Sequence, residues 1–319
     1  MAARITGALG GDAFRHPGRT GLEALRQAFA SSDAMVCIMS AGIVVRAIGP
    51  LCRDKRGDPC VVVLDEAGRH VISLLSGHLG GGNDLARRVA AITGGEAVIT
   101  TASDVLGLTP IDVWAEKNGL AVRSERRKLT EAAARLVNEG KVRIFCQGGC
   151  VGLPADFLPV DNPAEADIIL SWQETLSPDA LCLLPRNLFV GIGCNRGTPQ
   201  TEIDAAVKET MRQHNLHRDA VAGLATIDAK IDEDALLAWA RQEKLPLHFF
   251  SKKRLNEVTG FEASAQVIAA VGARGVAEPA AMLAAAGRDG EPGQLIVSKI
   301  KWKNVTTAVA AREIACTDL

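Results

Sequence analysis

The chain has 319 residues, 47% hydrophobic and 23% charged, with a formal net charge of −1 at pH 7. That balance belongs to ordinary globular domains, so a disordered or fibrous chain is excluded, and nothing electrostatic points to nucleic acid or a membrane surface as partner. There are 31 glycines and 13 prolines but no tyrosine, so turns are plentiful and a phenol is excluded as catalytic acid or base.

The eight cysteines include no CxxC pair, and no His-x₃₋₅-His accompanies them; neither a zinc site nor a disulfide framework is signalled. The first twelve residues lack the basic flank and apolar run of a signal peptide. No apolar stretch reaches the ~20 residues of a membrane span. The expectation is a cytoplasmic protein.

In chain order, apolar runs at 34–39, 60–64 and 71–75 read as strands, with 65–69 as a hairpin turn between the last two. Residues 83–93 read as a helix: Asn83 is placed to cap it, Leu85, Val89 and Ile92 share a face, and Gly94-Gly95 stops it. A strand follows at 97–100. From about Ser103 the pattern changes to a helix through Trp114, a polar helix at 129–139, and short runs at 142–146, 167–172 and 181–184. Pro154, Pro159, Pro163 and Pro178 punctuate this section.

A new α/β unit starts with the run 188–192. Pro199 suits a first helical position after Thr198, and Asp232 is placed to cap a helix carrying Leu236, Leu237 and Ala240. Strand 245–250, helices near 263–271 and 279–286, and strands 295–299 and 305–310 close the chain. The predicted architecture is therefore α/β: an N-terminal α/β domain (1–102), a small irregular middle module (103–186) and a C-terminal α/β domain with a mixed sheet (187–319).

Four constellations carry candidate chemistry. Ser76-Gly-His-Leu-Gly-Gly-Gly-Asn-Asp84 lies between a strand and a helix, where glycines let a ligand approach backbone N–H groups. His78 there is a candidate general base, and the same pattern also fits a glycine-rich turn with a hydrogen-bonded histidine. Arg46, Arg53, Lys55 and Arg56 form a cationic group able to hold carboxylates, or a solvated face. Gly191-Ile-Gly-Cys-Asn-Arg-Gly-Thr198 has Arg196 where a dinucleotide fingerprint needs its third glycine. It remains an anion-binding turn candidate, with Cys194 either an activated thiol or a packed one. Finally, Asp228, Ser251, Glu278, Lys299 and Lys301 lie where strands end or helices begin, placed to meet at one edge of the C-terminal sheet or to form ordinary surface pairs.

Taken in order, Ser40-Ala-Gly-Ile-Val-Val-Arg-Ala-Ile-Gly-Pro50, Leu74-Leu-Ser-Gly-His-Leu-Gly-Gly81, Val190-Gly-Ile-Gly-Cys-Asn-Arg-Gly-Thr198 and Glu278-Pro-Ala-Ala281 resemble the cobalt-precorrin-5A hydrolase family of anaerobic cobalamin biosynthesis. Members of that family usually carry an extra strand and helix before the segment that starts here near Gly18, so the resemblance implies a shortened N-terminal domain. Ala277 stands where the family commonly has cysteine, which argues against an essential thiol there.

The resemblance implies hydrolysis of a ring A δ-lactone on a cobalt-bearing tetrapyrrole, with release of acetaldehyde and formation of cobalt-precorrin-5B. It also implies a corrinoid substrate, corrin-pathway methyltransferases as neighbours, and no cofactor or metal site of the protein's own, because cobalt arrives with the substrate. Within it, His78 is the first choice for base and Glu278 the second. Backbone amides at Gly80, Gly81, Gly191, Gly193 and Cys194 are candidate donors to oxyanion or carboxylates. Arg46, Arg53, Ser76, Asn83, Thr198, Asp228, Ser251, Lys299 and Lys301 are candidate substrate contacts. A non-catalytic tetrapyrrole carrier is the alternative, since the sequence displays no evident dyad or triad.

Overall fold

The computed structural model of the protein describes residues 1–13, 20–54, 57–78, 80–175 and 177–318; Gly18, Lys55 and Arg56 lie outside them. The chain divides into two units, Met1–Trp114 and Ala115–Leu319.

The first unit runs α1 (Ala2–Leu9), α2 (Thr20–Ser31), β1 (Ala34–Ile38), α3 (Ala41–Ile48), β2 (Cys60–Leu64), β3 (His70–Leu75), α4 (Gly82–Thr93), β4 (Glu96–Val98), α5 (Ala102–Leu106) and the start of α6 (Ile111–Lys117). Its sheet has the order β1-β2-β3-β4. β1 and β2 are parallel, as are β3 and β4, and the hairpin makes β2 and β3 antiparallel. Asp65 fixes that hairpin by accepting the amides of Ala67 and His70.

β2 is buried along its whole length because it serves two layers. Val61 and Val63 pack with α2 and α3, while Val62 and Leu64 pack with α1 and α4, which is why its sequence is a continuous apolar run rather than an alternating one. α1 and α2 were not expected from the sequence. α1 buries Ile5 alone, too little for a periodic signal.

Two expectations are corrected here. Gly81, in the left-handed region at φ 76°, precedes α4, and Asn83 sits inside the first turn with its side chain buried instead of capping. The single helix expected through Trp114 is two, because Gly107 (φ 66°) closes α5 and Pro110 precedes α6.

The second unit continues with β5 (Ala121–Val122), α7 (Arg126–Glu139), β6 (Val142–Cys146), β7 (Cys150–Val151), β8 (Phe157–Pro159), β9 (Ile168–Leu170), β10 (Leu181–Leu184), β11 (Leu188–Cys194), α8 (Gln200–Gln213), β12 (Val221–Ile227), α9 (Asp234–Gln242), β13 (Leu247–Phe250), α10 (Lys252–Glu257), α11 (Ala265–Val271), α12 (Ala277–Ala284), β14 (Gln294–Lys301), β15 (Val305–Ala311) and β16 (Ile314–Ala315). The proline-punctuated section forms a five-stranded sheet, β5-β10-β9-β6-β8. Its prolines avoid the ladder's interior: Pro159 ends edge strand β8, while Pro154, Pro163 and Pro178 lie between strands.

The last sheet is mixed, in the order β13-β12-β11-β15-β14. β11, β12 and β13 are parallel, and β15 is antiparallel to both of its neighbours. α8 and α9 bury Ile203, Met211, Leu236 and Trp239 on one face. α12 and α10 close the other over Phe189, Ala225 and Ile227.

Two helix starts differ from expectation. Pro199 is the extended residue ahead of α8, which begins at Gln200. Glu233, not Asp232, precedes α9, and the Asp232 carboxylate is paired with Arg196 at 3.0 Å.

Candidate active site

The carboxyl end of β3 turns abruptly at Ser76, a non-glycine residue with φ 54°. The loop that follows is tight. A Cβ on Gly80 would lie 2.5 Å from that of Ser76, so no other residue fits the turn. The same tightness corrects the expectation that the loop's amides face a ligand. Those of Gly81, Gly82 and Asn83 donate to the carbonyls of His78, Ser76 and Gly77, at 2.8, 3.1 and 2.9 Å. The Ser76 hydroxyl likewise bonds the Asp58 carbonyl at 3.2 Å.

What the loop delivers is an imidazole. His78 Nε2 lies 2.9 Å from Asp104 Oδ2 and 3.1 Å from Ser103 Oγ, both in the first turn of α5. Asn83 Nδ2 donates to the same Asp104 oxygen at 2.8 Å and to Thr101 Oγ1 at 3.1 Å, while Arg87 Nη2 donates to Asp104 Oδ1 at 2.6 Å. α4 therefore supplies Asn83 and Arg87 one turn apart, and α5 supplies the carboxylate between them. Burial pushes the Asp104 carboxyl upward, but hydrogen bonds and charge from Arg87 and His78 outweigh it and hold the group below the ordinary carboxylate range.

An ionised carboxylate only accepts, so Nε2 must carry the proton it shares with Asp104. That leaves the lone pair on Nδ1, which faces Asp112 Oδ1 at 3.8 Å from the start of α6. An imidazole held this way can take a proton on Nδ1: the hydrogen bond to Asp104 fixes the tautomer, and Asp112 stands beside the nitrogen that would receive it. Because the Nε2 proton is committed to Asp104, Ser103 has no base on this imidazole to activate it as a nucleophile.

Sequence reasoning singled out His78 and Asn83 but missed Ser103, Asp104, Arg87 and Asp112 as parts of this cluster. No local pattern links them: the pairing of β3 with β4, which the fold decides, brings 76–78 beside 101–104 at the strands' carboxyl ends. In the same unit Arg46 is exposed, with Nη1 on its own helix's Gly42 carbonyl, and Arg53 is exposed beside Asp58, which accepts its amide.

In the second unit, residues 191–194 are strand, not loop, paired with β15 through Cys194↔Val305. A Cβ on Gly191 would overlap the Ala277 carbonyl oxygen, so this glycine lets α12 lie against β11. Gly193 is crowded by Thr306. Burial raises the Cys194 thiol, the opposite of activation.

Thr198 Oγ1 donates to the Asn195 carbonyl at 2.8 Å, and Ser251 Oγ accepts the Arg254 amide at the start of α10. Glu278, only 6% exposed, accepts the Lys299 amide at 3.1 Å. Asp228, Ser251, Lys299 and Lys301 do share the carboxyl end of the sheet. They are spread from β13 to β14 across five strands, which at about 4.8 Å per strand is roughly 19 Å.

Residues 23–104 match the family described as Cobalamin synthesis G N-terminal, and residues 188–310 match Cobalamin synthesis G C-terminus. The chain is also similar to a cobalt-precorrin-5A hydrolase from Priestia megaterium, at 34% identity over 88% of this chain and 79% of that protein. The chain belongs to the cobalt-precorrin-5A hydrolase family. A second cobalt-precorrin-5A hydrolase, from Salmonella typhimurium, is 33% identical over 88% of this chain and 82% of its own length. A crystal structure of a cobalamin biosynthesis protein G homolog from Sulfolobus solfataricus aligns over 97% of this chain and 90% of that one, at 21% identity and a TM-score of 0.34. That superposition is too loose to bear on the site. The N-terminal family match ends at Asp104, so it includes His78, Asn83, Arg87 and Ser103, while Asp112 lies beyond it.

Proposed function

We propose that the protein hydrolyses cobalt-precorrin-5A, opening the ring A δ-lactone and releasing acetaldehyde to leave cobalt-precorrin-5B. The observation that carries this reading is the His78–Asp104 pair, at 2.9 Å and oriented so that Nδ1 is the basic atom. A water deprotonated by Nδ1 attacks the lactone carbonyl. The imidazolium returns its proton to the alkoxide as the ester opens, giving a hydroxyl on the extruded carbon. The imidazole then takes that hydroxyl proton as the carbon–carbon bond breaks, the bonding pair passes to the macrocycle, which takes up a proton in turn, and acetaldehyde leaves.

Arg46 and Arg53, in the same unit as His78, are the proposed holders of the substrate's peripheral carboxylates. The cobalt is part of the substrate, so no resident metal or cofactor is required by this reading. The methyltransferases that act before and after it are the proposed functional neighbours.

The test is anaerobic incubation with cobalt-precorrin-5A, with acetaldehyde and the visible spectrum followed together. Acetaldehyde from the wild type and about 10³-fold slower release from folded His78→Gln are expected. Pigment bound without acetaldehyde would replace the hydrolase with a carrier, and near-normal turnover by His78→Gln would remove His78 from the mechanism.

A further inference from the structure

The segment between the two family-matched regions carries a cavity of its own. α7 covers one face of the middle sheet, burying Leu129, Ala132 and Leu136 against β6 and β10. On the opposite face Phe145, Ile169 and Cys182 stand in register on β6, β9 and β10. With Pro163 they floor a cavity of about 220 Å³.

Arg123 is the charged residue among those lining it. Its backbone amide is pinned to the Cys182 carbonyl at 2.9 Å. Among the described residues its buried Nη1 has no hydrogen-bond partner, and Nη2 stands 3.9 Å from Glu174 Oε1, beyond hydrogen-bond reach. A guanidinium is always charged, and a buried donor left unsatisfied is costly. Beside it, Gln147 Oε1 accepts the Ser171 hydroxyl at 2.6 Å, which keeps the Gln147 amide nitrogen as a donor.

A larger cavity in the same unit, about 360 Å³ and lined by Met211, Leu216 and Trp239, makes the contrast. There Lys208 pairs with Asp204, Arg212 with Glu209, and Arg218 with Glu243, so its cations already have partners.

We propose that the cavity on the face of the middle sheet opposite α7 is a carboxylate-binding site, with Arg123 and Gln147 as donors and Phe145, Pro163 and Ile169 receiving a short apolar stem. The volume falls below the roughly 300–1,000 Å³ of pockets that enclose a whole drug-sized ligand. The occupant is therefore a small free acid or one acid arm of a larger molecule. This inference does not depend on the reaction proposed above.

The test uses the full chain labelled with ¹⁵N-arginine and titrated with butanoate, with butanamide as the uncharged isostere, and with coproporphyrin, which presents four propionates. The Arg123 signal, identified by its loss in Arg123→Met, is expected to shift with an acid and not with the amide. By equilibrium dialysis Arg123→Met should bind that acid at least tenfold more weakly while melting no lower than wild type. Gln147→Leu, a milder change, should weaken binding about threefold. Response to butanoate identifies a free-acid site, and response to coproporphyrin alone identifies an arm site. The proposal fails if neither acid shifts the signal, if butanamide binds as well as butanoate, or if a folded Arg123→Met binds like wild type.

Discussion

Two segments of this protein look alike on paper, Ser76 to Asp84 and Gly191 to Thr198, each rich in glycine between a strand and a helix. They do different work. In the first, glycines let the chain turn so sharply at Ser76 that His78 is carried to the carboxylate of Asp104. In the second, Gly191 lies inside a paired strand and removes the side chain that would hold α12 away. A glycine-rich run thus marks a place where backbones approach closely, and what approaches decides whether the result is a polar site or a packed layer.

That contrast can be broken at several points. His78→Gln should lower acetaldehyde release about 10³-fold with the melting midpoint little changed, as expected for loss of a general base. A loss below tenfold would make the first segment as structural as the second. Asp104→Asn keeps the side chain's shape but frees the tautomer, and a drop of about 10²-fold in the same assay is expected.

Gly191→Ala should act on stability instead. An added methyl facing the Ala277 carbonyl should cost about 2 kcal/mol in urea unfolding, because the close-packed layer has to shift. An unchanged unfolding midpoint would mean that α12 moves freely from β11.

The pH dependence sharpens the first segment. Asp104 has its folded pKa lowered, so its stabilising contribution is present above the ordinary carboxylate range and is lost as pH falls through the lowered value. The gap in melting midpoint between wild type and Asp104→Asn should close on acidification from about pH 7 towards pH 3. A gap that persists once the carboxyl is protonated would show that its charge is not what stabilises the folded chain. The smallest effect belongs to Cys194, whose thiol is raised by burial. Exposed Cys52 should be alkylated well before it in the folded chain at neutral pH, and the reverse order, read by peptide mapping, would point to an accessible, reactive Cys194.

Much of the fold was legible because burial leaves a local trace. The unbroken apolar run of β2, the recurrence of Ile203, Val207 and Met211 every four residues along α8 and the hairpin at Asp65 each follow from short-range pattern. α1 escaped because one buried residue makes no period. The roles of Asn83 and Asp232 escaped for another reason: each has a polar partner distant in sequence, Asp104 for the one and Arg196 for the other. Capping rules consider only the neighbouring amides.

By itself, then, the sequence determined an α/β chain with its mixed C-terminal sheet, a histidine in a glycine-rich loop, and the family resemblance. The tertiary structure decided the chemistry around that histidine. Only adjacency of β3 and β4 brings residues 25 or so apart within 3 Å, and only then does a carboxylate fix which imidazole nitrogen holds the proton. It also left the Arg123 guanidinium with a buried donor that finds no partner among the described residues, because whether a charge is satisfied depends on what the fold packs beside it.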